Sequence, residues 1–298
     1  MKGRASMPDE RQCYINSINL NAQSDFPYLV LDVAAGRAYP RNPGFQVMHW
    51  HEDLQFIYVL AGAVQVRTLD TALALSAGEG CFINRDVVHH VGHSMDGHYK
   101  SFIFPAYFLA FYPGSPAREL VSRIVGQPQL PLLPLRPGGQ DAALAVLARL
   151  AALEANRGPL YPYQVLSALN ALYLALLQGA SAKASQPSPV RERMQAFLRY
   201  IAAHFGEEIT LEELSRSANV SKSECLRCFR LSMGTTPYRY LLEYRLSRAE
   251  ALLRQSDLPI GEIASRVGFH QVSHFGKCFR QRTGCSPREY RRRGRGAL

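Results

Sequence analysis

The stretch Ile260–Tyr290, IGEIASRVGFHQVSHFGKCFRQRTGCSPREY, decides the fold of the C-terminal third. Ile260, Ile263, Ala264 and Val267 recur at helical spacing and make one apolar face. Pro259 suits the first turn of that helix, where a missing N–H costs little. Gly268 follows the last apolar residue and can take the left-handed conformation that ends a helix. A second helix is expected from about Gln271 to Arg282, with Phe275, Cys278 and Phe279 buried. Ser273, Lys277 and Arg280 point the other way at helical periodicity. A docked apolar face and a free polar face suit a helix that enters a DNA groove, although an ordinary amphipathic pair with a solvated basic face shows the same pattern.

The pattern returns upstream. Cys228-Phe229-Arg230 stands 50 residues before Cys278-Phe279-Arg280, and Gly234, Pro237 and Tyr240 stand 50 before Gly284, Pro287 and Tyr290. Ahead of the turn the offset is 49, with Leu214 answering Ile263 and Val220 answering Phe269. Such self-similarity indicates two copies of one supersecondary unit. Thr210 with Glu213, and Ser221 with Glu224, match the capping box and start two helices at about Leu211 and Lys222. The outward face of the second carries Ser223, Arg227 and Arg230, flanked by Leu226. Between the units, Tyr238 to Arg254 places Leu242, Leu246, Ala249 and Leu253 on one stripe, a helix able to hold the two units at a fixed separation.

The tandem unit resembles the DNA-binding domain of the AraC/XylS family of bacterial transcription regulators. The second copy carries the signature Ile263-Ala264, Val267-Gly268-Phe269, Phe275, Phe279, Gly284, Pro287 and Tyr290-Arg291, and the likeness covers about Val190 to Arg293. Two departures are Gln271, where the family often has an acidic cap, and His274, where an aromatic is usual. The resemblance implies two recognition helices in successive major grooves of double-stranded DNA. Ser223, Leu226 and Arg227 are then expected at base edges in one groove, with Ser273, His274, Gly276 and Lys277 in the next. Lys222, Arg230, Gln271 and Arg280 are expected at phosphates.

Charge divides to match. Residues 190–298 hold 20 Lys/Arg against 11 Asp/Glu, and residues 1–189 hold 14 against 13, so +9 of the net +10 lies on the expected DNA-reading part. The tail Arg291-Arg292-Arg293-Gly294-Arg295 can add a loose phosphate contact or serve solubility. No apolar run approaches a membrane span, and MKGRASMPDERQ has no apolar segment of a signal peptide, so a cytoplasmic protein is expected. The six cysteines, Cys225-x-x-Cys228 among them, are read as small apolar residues rather than as zinc ligands or disulfides.

The first part reads differently. Tyr28–Val33, Gln46–Trp50, Gln55–Leu60, Ala63–Leu69, Gly80–Ile83 and Tyr99–Phe104 are short segments rich in β-branched and aromatic residues. Turn residues separate them, which predicts an antiparallel barrel or sandwich. His49-Trp50-His51-Glu52-Asp53-Leu54-Gln55 resembles the first cupin motif, and Leu75-x-x-Gly78-Glu79-Gly80-x-Phe82-Ile83, ending at His89-His90, resembles the second. Metal-dependent cupins have Glu where Gln55 stands and a proline before the second-motif histidine, so no metal or other cofactor is expected. The reading is instead a pocket for a small organic effector lined by His49, His51, Gln55, Tyr58 and His90. Histidines that only fill a barrel mouth remain open, as does a metal-dependent cupin enzyme fused to a DNA-binding domain.

Asp141–Asn156 and Pro162–Gln178 are Ala- and Leu-rich helices, either paired across a homodimer or packed on their own barrel. The expected architecture is α+β and multidomain. Residues 1–112 form a cupin-like β-barrel with an N-terminal arm, 113–178 a helical dimerisation segment, 179–189 a linker, and 190–298 an all-α domain with two helix-turn-helix motifs. The chain is thus expected to be a regulator without enzyme activity. Its partners are DNA, an effector, a second copy and, if it activates, RNA polymerase.

Overall fold

The computed structural model describes residue 21 and residues 24–40, 48–93, 96–125, 127, 130–179 and 188–295. The expected N-terminal arm, Cys13, the start of the Gln46–Trp50 segment and most of the 179–189 linker lie outside the described residues.

Among the described residues, nine strands build the N-terminal domain: β1 Leu29–Ala34, β2 Arg37–Tyr39, β3 Leu54–Ala61, β4 Ala63–Thr68, β5 Ala72–Ser76, β6 Gly80–Ile83, β7 His89–His93, β8 His98–Phe104 and β9 Leu132–Leu135. They form two antiparallel sheets, ordered β2-β1-β8-β3-β6-β9 and β5-β4-β7. The barrel expectation is refined accordingly: the domain is a cupin-like sandwich of two sheets, not one closed barrel. The sheets face each other through Ile57, Val59, Val64, Val66, Ile83 and Ile103. In β4 every second residue is buried, the period-2 pattern of a strand with one wet face. β3, apolar at its buried positions except for Gln55, and β6 are buried at successive residues because the larger sheet is a middle layer, covered on both sides.

The outer face of that sheet carries Phe56, Phe82, Phe102 and Phe104, and two helices cover it, α2 Asp141–Leu153 and α3 Tyr161–Gly179. Leu147, Leu150, Val165, Leu169 and Leu172 are fully buried there, each contributing roughly 1.5–3 kcal/mol. These helices therefore belong to the core of the N-terminal domain. A short α1, Ala117–Ser122, precedes β9, and Pro134 is tolerated in β9 because that strand lies at a sheet edge.

Among the described residues, seven helices make the C-terminal domain: α4 Pro189–His204, α5 Leu211–Arg216, α6 Lys222–Met233, α7 Pro237–Gln255, α8 Ile260–Arg266, α9 Val272–Thr283 and α10 Pro287–Arg295. The repeat is visible in the backbone. Gly234 ends α6 at φ 60° and Gly284 ends α9 at φ 78°. In the helix-turn-helix turns, Asn219 at φ 52° answers Gly268 at φ 83° across the offset of 49. At Gly268 a Cβ would meet the Phe205 carbonyl oxygen at 2.6 Å, so both conformation and space require glycine. Pro259 is the cap residue before α8 rather than part of its first turn.

α7 serves both units. Tyr240, Leu241 and Tyr244 lie in the core of the first, and Leu246, Ala249 and Leu253 in the core of the second. Arg282 of α9, almost fully buried, bonds Glu243 at 2.7 Å and Glu250 at 2.8 Å, tying α9 to two points of α7 about two turns apart.

Candidate DNA interface and sensor cluster

The residues expected at DNA lie on matching surfaces of the two units. On α6, Lys222, Ser223, Leu226, Arg227 and Arg230 are exposed, while Cys225, Cys228 and Phe229 are buried. On α9, Ser273, His274, Lys277 and Arg280 are exposed and Gly276 is half-buried, over buried Phe275, Cys278 and Phe279. Gln271 stands exposed just before α9 but makes no side-chain cap bond. A Cβ on Gly276 would touch nothing within 4 Å, so the protein itself does not require glycine there. His274 sits edge-on to Phe269 and has Nε2 3.3 Å from the Cys278 sulfur.

Equivalent in position, the two faces differ in charge pairing. Arg227 donates through Nε and Nη2 to both carboxylate oxygens of Glu224, each at 2.7 Å, and Arg193 of α4 reaches the same carboxylate at 2.5 Å. The Arg227 hydrogen bond holds the Glu224 carboxyl down at about 2. Lys222 pairs with Glu212 at 3.0 Å. Among the described residues, Lys277 and Arg280 have no such acidic partner. The capping expectation is corrected at one point by the same contacts. Thr210 and Glu213 form the full reciprocal box, whereas Ser221 only accepts from the Glu224 N–H, because the Glu224 carboxylate is taken by the two arginines. Glu224 and Arg227, three apart on a helix, carried the signal for this clamp in the sequence.

In the sensor, the structure gathers only part of the expected pocket. His49, His51 and Gln55 come together, all buried, and the fourth member is His89 rather than His90. An isolated bridge pairs His49 with His89. Adjacent strand residues point to opposite faces, so His90 is turned out of the cluster. It lines a cleft of about 480 Å³ between the domains with Arg67, Asp70, Ser188 and Leu231. Tyr58 points to the middle-layer core under α2 and α3, away from the histidines. Gln55 Oε1 lies 2.9 Å from His51 Nε2 and 2.8 Å from His89 Nε2, and its Nε2 donates to Ser101 Oγ at 2.6 Å. Burial, reinforced by the adjacent His49 and His51 rings, pushes the His89 imidazole well below its ordinary value.

Sequence reasoning missed the contact between sensor and first reader. Trp50, between His49 and His51 in the chain, points out of the sandwich into the core of the first reader, beside Met194, Phe197, Tyr240 and Tyr244. Its indole N–H donates to the Tyr240 hydroxyl. Asp70 pairs with the buried Arg191 of α4 at 3.0 Å and accepts from Ser188, and Gln195 donates to the Asp86 carbonyl at 3.3 Å. The signal was present: if both flanking histidines point inward, the only tryptophan must point outward and needs a partner.

Two helix-turn-helix readers behind an antiparallel β domain with a buried polar cluster define a one-component DNA-binding regulator. A model of the AraC-like ligand binding domain matches residues 30–159, and a helix-turn-helix domain model matches residues 214–293. The chain belongs to the AraC type of transcription regulators and is a DNA-binding regulator with an N-terminal ligand-binding domain. It is 28% identical over 262 residues to the uncharacterized HTH-type transcriptional regulator YdeC of Bacillus subtilis, covering 84% of this chain and 87% of that one. It is 35% identical over 127 residues to the HTH-type transcriptional activator RhaS of Klebsiella pneumoniae, covering 43% of this chain and 45% of that one. A solved structure of ToxT from Vibrio cholerae aligns over 89% of this chain and 96% of its own, at 13% identity and a TM-score of 0.46. Among the described residues no helix is long and apolar enough to cross a membrane.

Proposed function

We propose that each copy of the chain reads two successive major grooves of double-stranded DNA under the control of a small ligand bound in its N-terminal domain. Ser223, Leu226 and Arg227 meet base edges in one groove, and Ser273, His274, Gly276 and Lys277 do so in the next. Lys222, Arg230, Gln271 and Arg280 hold phosphates. The observation that carries this reading is the equivalent exposure of α6 and α9 on a shared, rigidly tied α7. Binding-site selection with the full chain, followed by hydroxyl-radical footprinting, tests it. Two protected segments about 10 bp apart on one face of the duplex are expected per copy. One protected segment overturns it.

Two copies pair through the outer side of α3, where Leu160, just ahead of it, and Tyr163 and Leu174 are exposed. The protein acts in the cytoplasm, and it contacts RNA polymerase where it activates. Sedimentation of the purified chain, with Tyr163→Glu and Leu174→Glu as dissociating variants, tests the pairing.

A further inference from the structure

The buried histidine cluster of the N-terminal domain offers metal-ligand chemistry. His49, His51 and His89 each offer a ring nitrogen, and these nitrogens all lie within 4.8 Å of one another. His51 Nδ1 lies 2.9 Å from the Asp53 carbonyl oxygen, and His89 Nδ1 lies 2.9 Å from the Val87 carbonyl oxygen. A carbonyl only accepts, so both Nδ1 atoms carry the ring proton. In each neutral ring Nε2 is then a bare lone pair. Both lone pairs are aimed at Gln55 Oε1, itself an acceptor, at 2.9 and 2.8 Å. Three acceptors facing one another repel unless something positive lies among them. His51 is 4% and His89 0% exposed, so bulk water does not supply the missing donors.

A metal ion resolves the conflict. Ligand atoms about 2.1 Å from one ion and at right angles lie about 3.0 Å apart, close to the separations observed. Backbone carbonyls holding the distal ring N–H are the usual support of metal-bound histidines. We propose that His49, His51, His89 and the Gln55 side-chain oxygen form a binding site for one divalent transition-metal ion. Three imidazoles and a neutral oxygen suit zinc, nickel, cobalt or ferrous iron, and disfavour magnesium and calcium, which want several hard oxygens. The β7 register brings His89, rather than His90, to the cluster as the third imidazole.

A rival network exists. With the Gln55 amide turned over, its NH2 donates to both rings and Ser101 donates to its oxygen, leaving a satisfied cluster with no need of an ion. The two arrangements respond oppositely to Gln55→Glu. A carboxylate strengthens a metal site, whereas it sets a charge against acceptor nitrogens in the rival network.

The experiment titrates the full chain, stripped of metal, with Co²⁺ and then displaces it with Zn²⁺, reading the visible d–d absorption and the metal content. One ion per chain is expected, bound in the low-micromolar range or tighter. His51→Ala and His89→Ala each weaken it by about 100-fold or more, and Gln55→Glu tightens it by about 10-fold. A wild-type chain that takes up no ion at 100-fold excess over protein overturns the proposal, and this result does not depend on how any variant folds. Binding abolished by His98→Ala or His204→Ala instead of the cluster variants also overturns it. Neither result touches the DNA reading, which footprinting tests separately.

Discussion

Trp50 of the sensor donates its indole N–H to the hydroxyl of Tyr240, a residue of the helix shared by both DNA readers. The two side chains are 190 positions apart in sequence and both essentially buried. Tyr240→Phe strands a buried indole donor, and it should lower unfolding stability by about 1–3 kcal/mol in the full chain. In the fragment 190–298, which lacks Trp50, the same change should cost much less. Chemical denaturation of both pairs measures the difference, and equal losses would place the effect inside the reader.

That fragment should fold and bind operator DNA, since both reader cores and α7 lie within it. It should be less stable than the same domain in the intact chain, because Trp50 and Val88 no longer fill its first core. With about 6–10 phosphates neutralised, the log–log salt slope of its DNA binding should be near −5 to −9. Arg280→Ala should flatten the slope by about 1 and weaken all sequences alike. A salt-independent affinity would sink the phosphate footprint.

Arg227 and Lys277 are equivalent, yet Arg227 already gives two of its five N–H donors to Glu224. Each alanine substitution should cost about 1–3 kcal/mol on the operator and relax preference at one or two base pairs, in different halves of the site. Base-substitution series on each variant measure this. Loss of preference at the same base pairs by both variants would rule out the tandem arrangement.

Freeing the clamp should do the opposite. Glu224→Gln removes a negative charge beside DNA and releases Arg227 and Arg193, so affinity for all sequences should rise and the salt slope steepen. The Glu224 pKa is depressed, so its native contribution is complete above the ordinary carboxylate value and is lost only as pH falls toward about 2. Titrated binding between pH 5 and 8 should therefore show no step from this group.

Gly276 offers a test in which stability and binding part company. It lies inside α9 with open space where a Cβ would stand. Gly276→Ala should stabilise the domain by about 1 kcal/mol while weakening operator binding, since the added methyl occupies the gap left for close approach. If binding is unchanged, DNA does not come near this turn.

Legibility followed range along the chain. The readers were legible nearly to their boundaries, because capping residues, glycine stops and the 50-residue repeat are local signals. Three of the five expected pocket residues met in the cluster; His90 did not, because the facing of β7 is fixed by its pairing with β4, and Tyr58 did not, because it stands three residues from Gln55 on β3 and so faces the other side. β9 was missed because its pairing with β6 joins segments some 50 residues apart, and its proline argues against a strand. The Trp50–Tyr240 contact joins two domains, and no local pattern spells out the partner. Glu224 was read as a cap because the sequence shows the i, i+3 spacing but not the competing Arg193 from α4.

α7 carries one further consequence. Because Tyr244 closes one core and Leu246 opens the other, no joint lies between the readers that could absorb a change in the DNA. One inserted base pair between the two contacted segments would shift the second by about 3.4 Å and turn it by roughly 35° around the duplex. A single helix used by both hydrophobic cores acts as a ruler with no adjustable mark. Tolerance for altered spacing in operators should therefore lie between copies of the protein, never inside the stretch that one copy measures.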